Sequence, residues 1–178
     1  AGGEVGEAAK GSLTRIKGEG VGQAMADLLD AGNPRLKAVI IDVLARRADK
    51  TSAPAMVKAA EDSDSDIRSA AIKGLAVVGG LDELAPMVRL ICRATESSEI
   101  SALEKAITAS ALRVSDIDAR AAPVVDGVNT ARGDAKVKLV GILGKLGGSG
   151  ALLAVSHARK GYDKDVVNAA VRALAGWP

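Results

Sequence analysis

The chain has 178 residues, 48% of them hydrophobic, and a formal net charge of +2. This length allows one domain with a sizeable core, which Ala, Val, Leu and Ile must fill because Phe is absent and Trp and Tyr occur once each. The small net charge is not that of a protein with the dense cationic surface of a committed nucleic-acid binder. The lack of 18 consecutive apolar residues excludes a membrane-spanning helix. The single cysteine, Cys92, excludes an internal disulfide.

The charge is unevenly distributed along the chain. Residues 134–178 contain seven basic and three acidic residues, whereas residues 1–133 contain 17 basic and 19 acidic residues. The chain begins with Ala1-Gly2-Gly3 and shows no signal peptide. We therefore expect a processed or excised chain that is soluble and either cytoplasmic or exported, with a mildly basic C-terminal region.

The dominant pattern is a helical phrase that recurs six times at intervals of 31 to 35 residues. Each copy opens with an apolar residue, which we call its anchor. Further apolar residues follow the anchor at offsets of 3, 4, 8 or 11, and these positions lie on one face of an α-helix. In the first copy this set is Val5, Ala8, Ala9, Leu13 and Ile16, and the later anchors are Leu36, Ile67, Ile100, Ala135 and Val166. A period of this length is typical of a stacked solenoid.

The fourth copy is the least regular. Ile100, Leu103 and Ile107 preserve an apolar helical face, but Glu104 occupies a position where Ala is usual. We expect a helix in this copy and leave its register open.

Shorter second helices are predicted between the first helices, at about 20–31, 51–62, 81–95, 116–130 and 149–160. Glycine pairs such as Gly79-Gly80 are typical of helix ends, and Ser65, Ser115 and Ser149 are candidate N-caps. The prediction is therefore an all-α chain of five helix pairs and one closing helix.

We predict a single domain, residues 1–178, that consists of six repeats. The repeats cover about 4–32, 33–63, 64–96, 97–132, 133–162 and 163–178. The last is a half repeat, and no second helix follows to cover its outer face. Because terminal repeats normally carry a polar outer face, we expect that this half repeat was cut from a longer array. The alternative is that Trp177 folds back as a cap.

The segment Asp64–Gly80 has Asp before an apolar-Arg pair, then Ala-Ala, Leu and Gly, and the segments Asp134–Gly148 and Asp163–Gly176 are similar. This phrase resembles a HEAT repeat, in particular the short bacterial type found in phycobilisome-lyase-like proteins. The resemblance implies a right-handed α-α superhelix, a HEAT-like α-solenoid whose second helices line a concave surface. It also implies scaffolding or partner recognition, or, in the lyases, handling of a bilin.

Four features of the sequence are candidates for a catalytic or ligand-binding site, and for each of them a structural role is the better interpretation. His157 is the only histidine and has no ligand-forming neighbours. Cys92 lies in an apolar context, which predicts a buried core position although Arg89 and Arg93 are near. The segment Gly144–Gly150 lacks the order of a phosphate loop and predicts an interhelical turn.

The fourth feature is the set of alternating aspartates Asp62, Asp64 and Asp66. They lack the Gly and Glu of a calcium loop, so a capped, solvated turn is the better interpretation. Because no nucleophile and base can be paired, we predict no catalytic residue, no metal site and no cofactor.

A row of cations on the second helices is the candidate binding surface on the concave side. Its members are Lys58, Arg89, Arg93, Arg120, His157 and Arg159. Such a row can hold an acidic peptide or a phosphate backbone, and the alternative is that long cations simply solvate an open helix face.

The sequence therefore favours a non-catalytic protein-interaction scaffold, with a protein or peptide partner on the concave surface. Nucleic-acid binding through a cationic groove is the first alternative, weakened by the scarcity of aromatic residues. A bilin-lyase-like or other enzyme accessory role is the second, weakened by the missing catalytic groups.

Overall fold

The computed structural model describes the backbone of residues 2–18, 20–31 and 33–178, and their side chains except those of residues 2–6, 9, 30 and 31. In this part of the chain there are eleven α-helices and one short 3-10 helix, and there is no strand. The helices form two compact units, residues 1–79 and residues 80–178. The predicted all-α class and the number of helices are confirmed.

The first unit contains two layers of helices. Helices α1, α3 and α5 pack on one another in sequence to form a first layer, and α2 and α4 pack against α3 and α5 as a second layer. The bounds are α1 Gly2–Arg15, α2 Val21–Ala31, α3 Pro34–Arg46, a 3-10 helix Lys50–Ser52, α4 Ala53–Ala59 and α5 Ser65–Val78.

The second unit has the same two-layer arrangement and begins with a second-layer helix. Helices α7, α9 and α11 form the first layer, and α6, α8 and α10 form the second. The bounds are α6 Leu81–Arg93, α7 Ser97–Leu112, α8 Ile117–Thr130, α9 Gly133–Leu146, α10 Ser149–Ala158 and α11 Lys164–Ala175. The division of the chain into six repeats within one domain stays a prediction.

Most of the predicted anchors are buried. Ile67, Ile100, Ala135 and Val166 are all less than 6% exposed. Leu36 is an exception, because it lies in the first turn of α3 at 42% exposure and the buried face begins one turn later.

The first predicted copy agrees less well with the structure. Helix α1 ends at Arg15, so Ile16 lies beyond it and is 45% exposed, and Ala8 is also exposed. The assignment of these two residues to the apolar face is therefore wrong. Val5 and Ala9 lie outside the described side chains.

The core of the second unit is made of aliphatic side chains and close helix contacts. Leu103 and Ile107 of α7 and Leu139 and Leu143 of α9 are fully buried. A Cβ added to Gly144 of α9 would lie 2.6 Å from the Cβ of Ala173 in α11. Glycine therefore permits a helix contact that any larger residue would force apart.

The N-caps of α5, α8 and α10 lie one residue from the predicted serines Ser65, Ser115 and Ser149. Asp64, Asp116 and Asp163 cap α5, α8 and α11, and each carboxylate accepts backbone N–H groups of the first turn. Ser65 and Ser149 are instead the first residues of their helices. A carboxylate is favoured at these positions because it also interacts with the positive end of the helix dipole.

Glu104, the irregular residue of the fourth copy, connects α7 to α9. Its carboxylate lies 2.8 Å from Nζ of Lys138 and 3.3 Å from Nζ of Lys145, and its side chain is 19% exposed. Burial alone would raise the pKa of Glu104, but the hydrogen bonds and charges of the two lysines outweigh it and lower the pKa. The departure from Ala is therefore an ion-pair cluster between two first-layer helices.

The shared core gives a first prediction. Leu143→Ala should lower the free energy of unfolding by about 2–5 kcal/mol, because it removes buried methyl groups and leaves a cavity. Leu153→Ala, at a position that is 73% exposed on α10, should change it by less than about 0.5 kcal/mol. Urea unfolding followed by circular dichroism measures both. Equal effects would show that Leu143 does not belong to the core.

The Glu104 cluster gives a second prediction. A lowered folded-state pKa stabilises the fold above the unfolded-state value of about 4.3, and this stabilisation is lost as pH falls through the folded-state pKa. Glu104→Gln should therefore lower the free energy of unfolding by about 1 kcal/mol at pH 7, and by less in acid. Urea unfolding at pH 7 and pH 3 tests this, with the exposed Asp126→Asn as control. A loss that is the same at both pH values would contradict it.

Candidate binding surface

A groove lies between the second-layer helices α6 and α8 of the second unit. Its volume is about 330 Å³. A Cβ on Gly127 of α8 would collide with Cγ1 of Val88 of α6, so the two helices approach closely beneath the groove. The residues that line this α6–α8 groove are Ala85, Val88, Arg89, Cys92, Arg93, Pro123, Asp126, Gly127 and Thr130.

Charged side chains flank the apolar floor of this groove. Arg89 and Arg93 are four residues apart on α6, so they lie on the same helix face one turn from each other. Both are exposed, and neither guanidinium has a hydrogen-bond or ion-pair partner among the described residues. Asp126 of α8 supplies a carboxylate. The groove therefore combines apolar surface with cations that are available to a ligand.

Cys92 lies in this groove rather than in the core. The residue is half-buried, contrary to the predicted core position. Burial raises the pKa of its thiol, and a hydrogen bond with Thr130 only partly opposes this. A thiol with a raised pKa is mostly protonated at neutral pH, which makes it a poor nucleophile.

Arg120 has a structural contact that the sequence did not predict. It is half-buried in α8, and its guanidinium donates to the carbonyl of Leu146 at 2.6 Å and of Val114 at 3.3 Å. In the first unit Arg47 donates to the carbonyl of Ile16 at 2.6 Å and to others at the end of α1. Arginine at the end of a helix satisfies its last carbonyl groups. These contacts occupy donors of Arg120 that a ligand would need.

The remaining cations of the predicted row lie elsewhere. Lys58 is exposed on α4 in the first unit, and Arg159 is exposed at the C-cap of α10. His157 is exposed in the last turn of α10 and lines a different cavity. Of the six predicted residues, the structure brings Arg89 and Arg93 together in one groove.

The cavity lined by His157 lies between the turn that joins α8 to α9 and the turn that joins α10 to α11. Its volume is about 620 Å³. Tyr162 lies at its edge with a completely exposed side chain. The sequence did not single out this site, which we call the turn cavity; its polar lining residues are Arg132, Lys136, His157, Lys160, Tyr162 and Asp163.

A family model for HEAT repeats matches residues 6–113. The chain belongs to the HEAT-repeat family. Proteins built from HEAT repeats are commonly protein-interaction scaffolds, whereas the closer similarity to the bacterial phycobilisome-lyase type stays a prediction. A search of curated proteins finds no significant match to the chain.

The alternating aspartates and the glycine-rich segment Gly144–Gly150 have structural roles in this HEAT-repeat chain. Asp62 accepts a hydrogen bond from the backbone N–H of Asp64 and pairs with Lys37 at 2.9 Å; these contacts lower the pKa of Asp62. The segment Gly144–Gly150 includes the turn between α9 and α10, where Gly147 and Gly148 have φ of 71° and 96°. The turn predicted within Gly144–Gly150 and the capping role of Asp64 are confirmed. The prediction of a solvated side chain is wrong for Asp62, which is paired with Lys37.

Two further observations concern metal binding and membrane spanning by the described residues of this HEAT-repeat chain. Among them, no group of three or more His, Cys, Asp or Glu side chains is placed to hold a metal ion. No helix in the same part of the chain is both long and apolar enough to span a bilayer.

The different surroundings of Arg120 and Arg89 give a third prediction. Arg120→Gln should lower the free energy of unfolding by about 1.5–3 kcal/mol, because the charge-assisted hydrogen bonds to the carbonyl groups of Leu146 and Val114 are lost. Arg89→Gln should change it by less than about 0.5 kcal/mol. Urea unfolding of the two variants measures the difference. Equal free energies of unfolding for the two variants would contradict the structural role of Arg120.

Proposed function

We propose that this HEAT-repeat chain is a non-catalytic scaffold that binds a segment of a partner protein in the α6–α8 groove. The observation that carries the proposal is an apolar floor beside two arginines, Arg89 and Arg93, that have no partner among the residues the structure describes. The common role of HEAT repeats as interaction scaffolds supports it.

The lining of the groove indicates the chemistry of the segment. Val88, Pro123 and the surface above Gly127 offer contacts to an apolar side chain. Arg89 and Arg93 favour carboxylates of the partner, since a guanidinium binds a carboxylate with two parallel hydrogen bonds. A segment with one apolar residue next to acidic residues therefore fits the groove.

The volume of the groove also favours a segment over an enclosed small molecule. About 330 Å³ lies at the lower limit of small-molecule pockets. An open site of this size accommodates a side chain while the rest of the partner remains outside. Affinity then comes from a few central contacts, as is usual for protein interfaces.

The non-catalytic part of the proposal rests on the separation of the reactive groups. The Cys92 thiol has a raised pKa, and His157 lines the turn cavity rather than the α6–α8 groove. A nucleophile is activated by an adjacent base or by a lowered pKa. The pKa of the Cys92 thiol is raised instead, and its hydrogen bond is with the hydroxyl of Thr130, which is not a base.

Site-specific crosslinking tests the proposal. A benzophenone amino acid placed at Ala85, which lines the groove, should crosslink a protein from an extract of the source organism. The same amino acid at Ala122, an exposed position of α8 outside the groove, should not. The crosslinked segment is then made as a peptide, and its binding to the purified chain is measured by fluorescence anisotropy.

The charge of the rim supplies the fourth prediction. Arg89→Glu with Arg93→Glu should weaken binding of that peptide by about 10- to 100-fold, equivalent to about 1.4–2.8 kcal/mol. Lys73→Glu with Lys105→Glu changes the net charge equally at exposed positions outside the groove and should weaken binding much less. Identical losses would mean that net charge, and not the groove, holds the partner.

A further inference from the structure

We propose that the turn cavity binds single-stranded nucleic acid, with backbone phosphates on its cations and a base stacked on Tyr162. This site is separate from the α6–α8 groove, and the proposal does not depend on that groove. The supporting observations are an exposed aromatic ring and a set of cations without partners in the described part of the chain, all at one cavity.

The first observation is the unbalanced charge of the cavity. Arg132, Lys136 and Lys160 carry three positive charges, and none of these side chains has a hydrogen-bond or ion-pair partner among the described residues. The imidazole of His157 adds a further polar group. Cations gathered without internal partners repel one another, so an anionic ligand would stabilise the arrangement.

The one carboxylate in the lining is already engaged. Asp163 caps α11, and its Oδ1 accepts from the backbone N–H groups of Asp165 at 3.0 Å and Val166 at 3.2 Å. It therefore has a structural role and neutralises the cations only in part. Residues 134–178 contain seven basic and three acidic residues. Although Lys138 and Lys145 pair with the single carboxylate of Glu104, this region keeps a net positive charge, which favours the approach of a polyanion.

The second observation is the ring of Tyr162. It is the only tyrosine of the chain and its side chain is fully exposed, so it contributes nothing to the core. An aromatic ring beside cations is the combination that binds unpaired strands, because bases stack on the ring while phosphates contact the cations. A base in a duplex is already stacked between its neighbours, so this arrangement favours a single strand.

An acidic protein segment explains less of the site. It would use Arg132, Lys136 and Lys160, but its carboxylates would gain little from the face of Tyr162, which carries negative electrostatic potential. Only a ligand with both anionic groups and flat rings uses all of these residues. This distinction can be measured.

The test uses the full chain and a fluorescently labelled twelve-nucleotide thymidine strand, with binding followed by anisotropy at 50 and 200 mM salt. We expect a dissociation constant of about 10⁻⁴–10⁻⁶ M that weakens steeply with salt. Tyr162→Ala should weaken binding by about 5- to 150-fold, the equivalent of one stacked base. Tyr162→Phe should retain binding to within about twofold, because the ring remains.

The cations are tested separately. Lys136→Gln with Lys160→Gln should reduce the slope of log K against log salt by about 1.4, or 0.7 for each lost phosphate contact. Lys73→Gln with Lys105→Gln removes the same charge from exposed positions outside the cavity and should leave the slope nearly unchanged. Thermal unfolding shows whether each variant keeps the fold.

Three results would overturn the proposal. One is the absence of binding by the wild-type chain at 50 mM salt. Another is an equal loss in the control lysine variant. The third is unaltered binding by Tyr162→Ala together with equally strong binding of a duplex or a poly-glutamate peptide, which would indicate a general anion or acidic-protein site.

Discussion

The close approach of helices through glycine is the constraint on which the second unit depends. Gly144 brings α9 against Ala173 of α11, and Gly127 brings α8 against Val88 of α6. Close contacts of this kind compensate for the absence of large aromatic core residues, because aliphatic side chains fill a core only when the helices are near one another. The contact at Gly127 also determines the width of the α6–α8 groove.

Within this framework, arginines divide between two roles. Arg47 and Arg120 satisfy carbonyl groups at the ends of first-layer helices, and so contribute to the fold of their units. Arg89 and Arg93 have the same chemistry but face an open groove. The residue type alone therefore does not distinguish an arginine that supports the fold from one whose donors are left unpaired by the described residues.

The sequence predicted the helices well because helical periodicity is a local property. A repeated apolar face requires only a 3.6-residue period, and so the second-layer helices were placed to within a few residues of α6, α8 and α10. The position of Leu36 shows the limit of this reasoning. Its spacing fits the apolar face, but the first turn of α3 extends past the buried part of the helix.

The candidate sites were less predictable because they depend on contacts between distant residues. Arg120 contacts the carbonyl of Leu146, 26 residues away, and no local pattern distinguishes it from Arg89. Tyr162 gave no periodic signal because it lies in a turn, and Arg132 and Lys136, which line the same cavity, are about 30 residues away in the chain. Such juxtapositions arise only when the helices stack.

The aromatic-poor composition has a further consequence for spectroscopy of this protein. With no phenylalanine, an exposed Tyr162 and a single half-buried tryptophan, Trp177, the core contains few rings that report on its packing. Near-ultraviolet dichroism and intrinsic fluorescence would therefore register little when the interior rearranges. Methyl groups of Ala, Ile, Leu and Val fill that interior instead, so nuclear magnetic resonance of labelled methyls is the method by which its motions become visible.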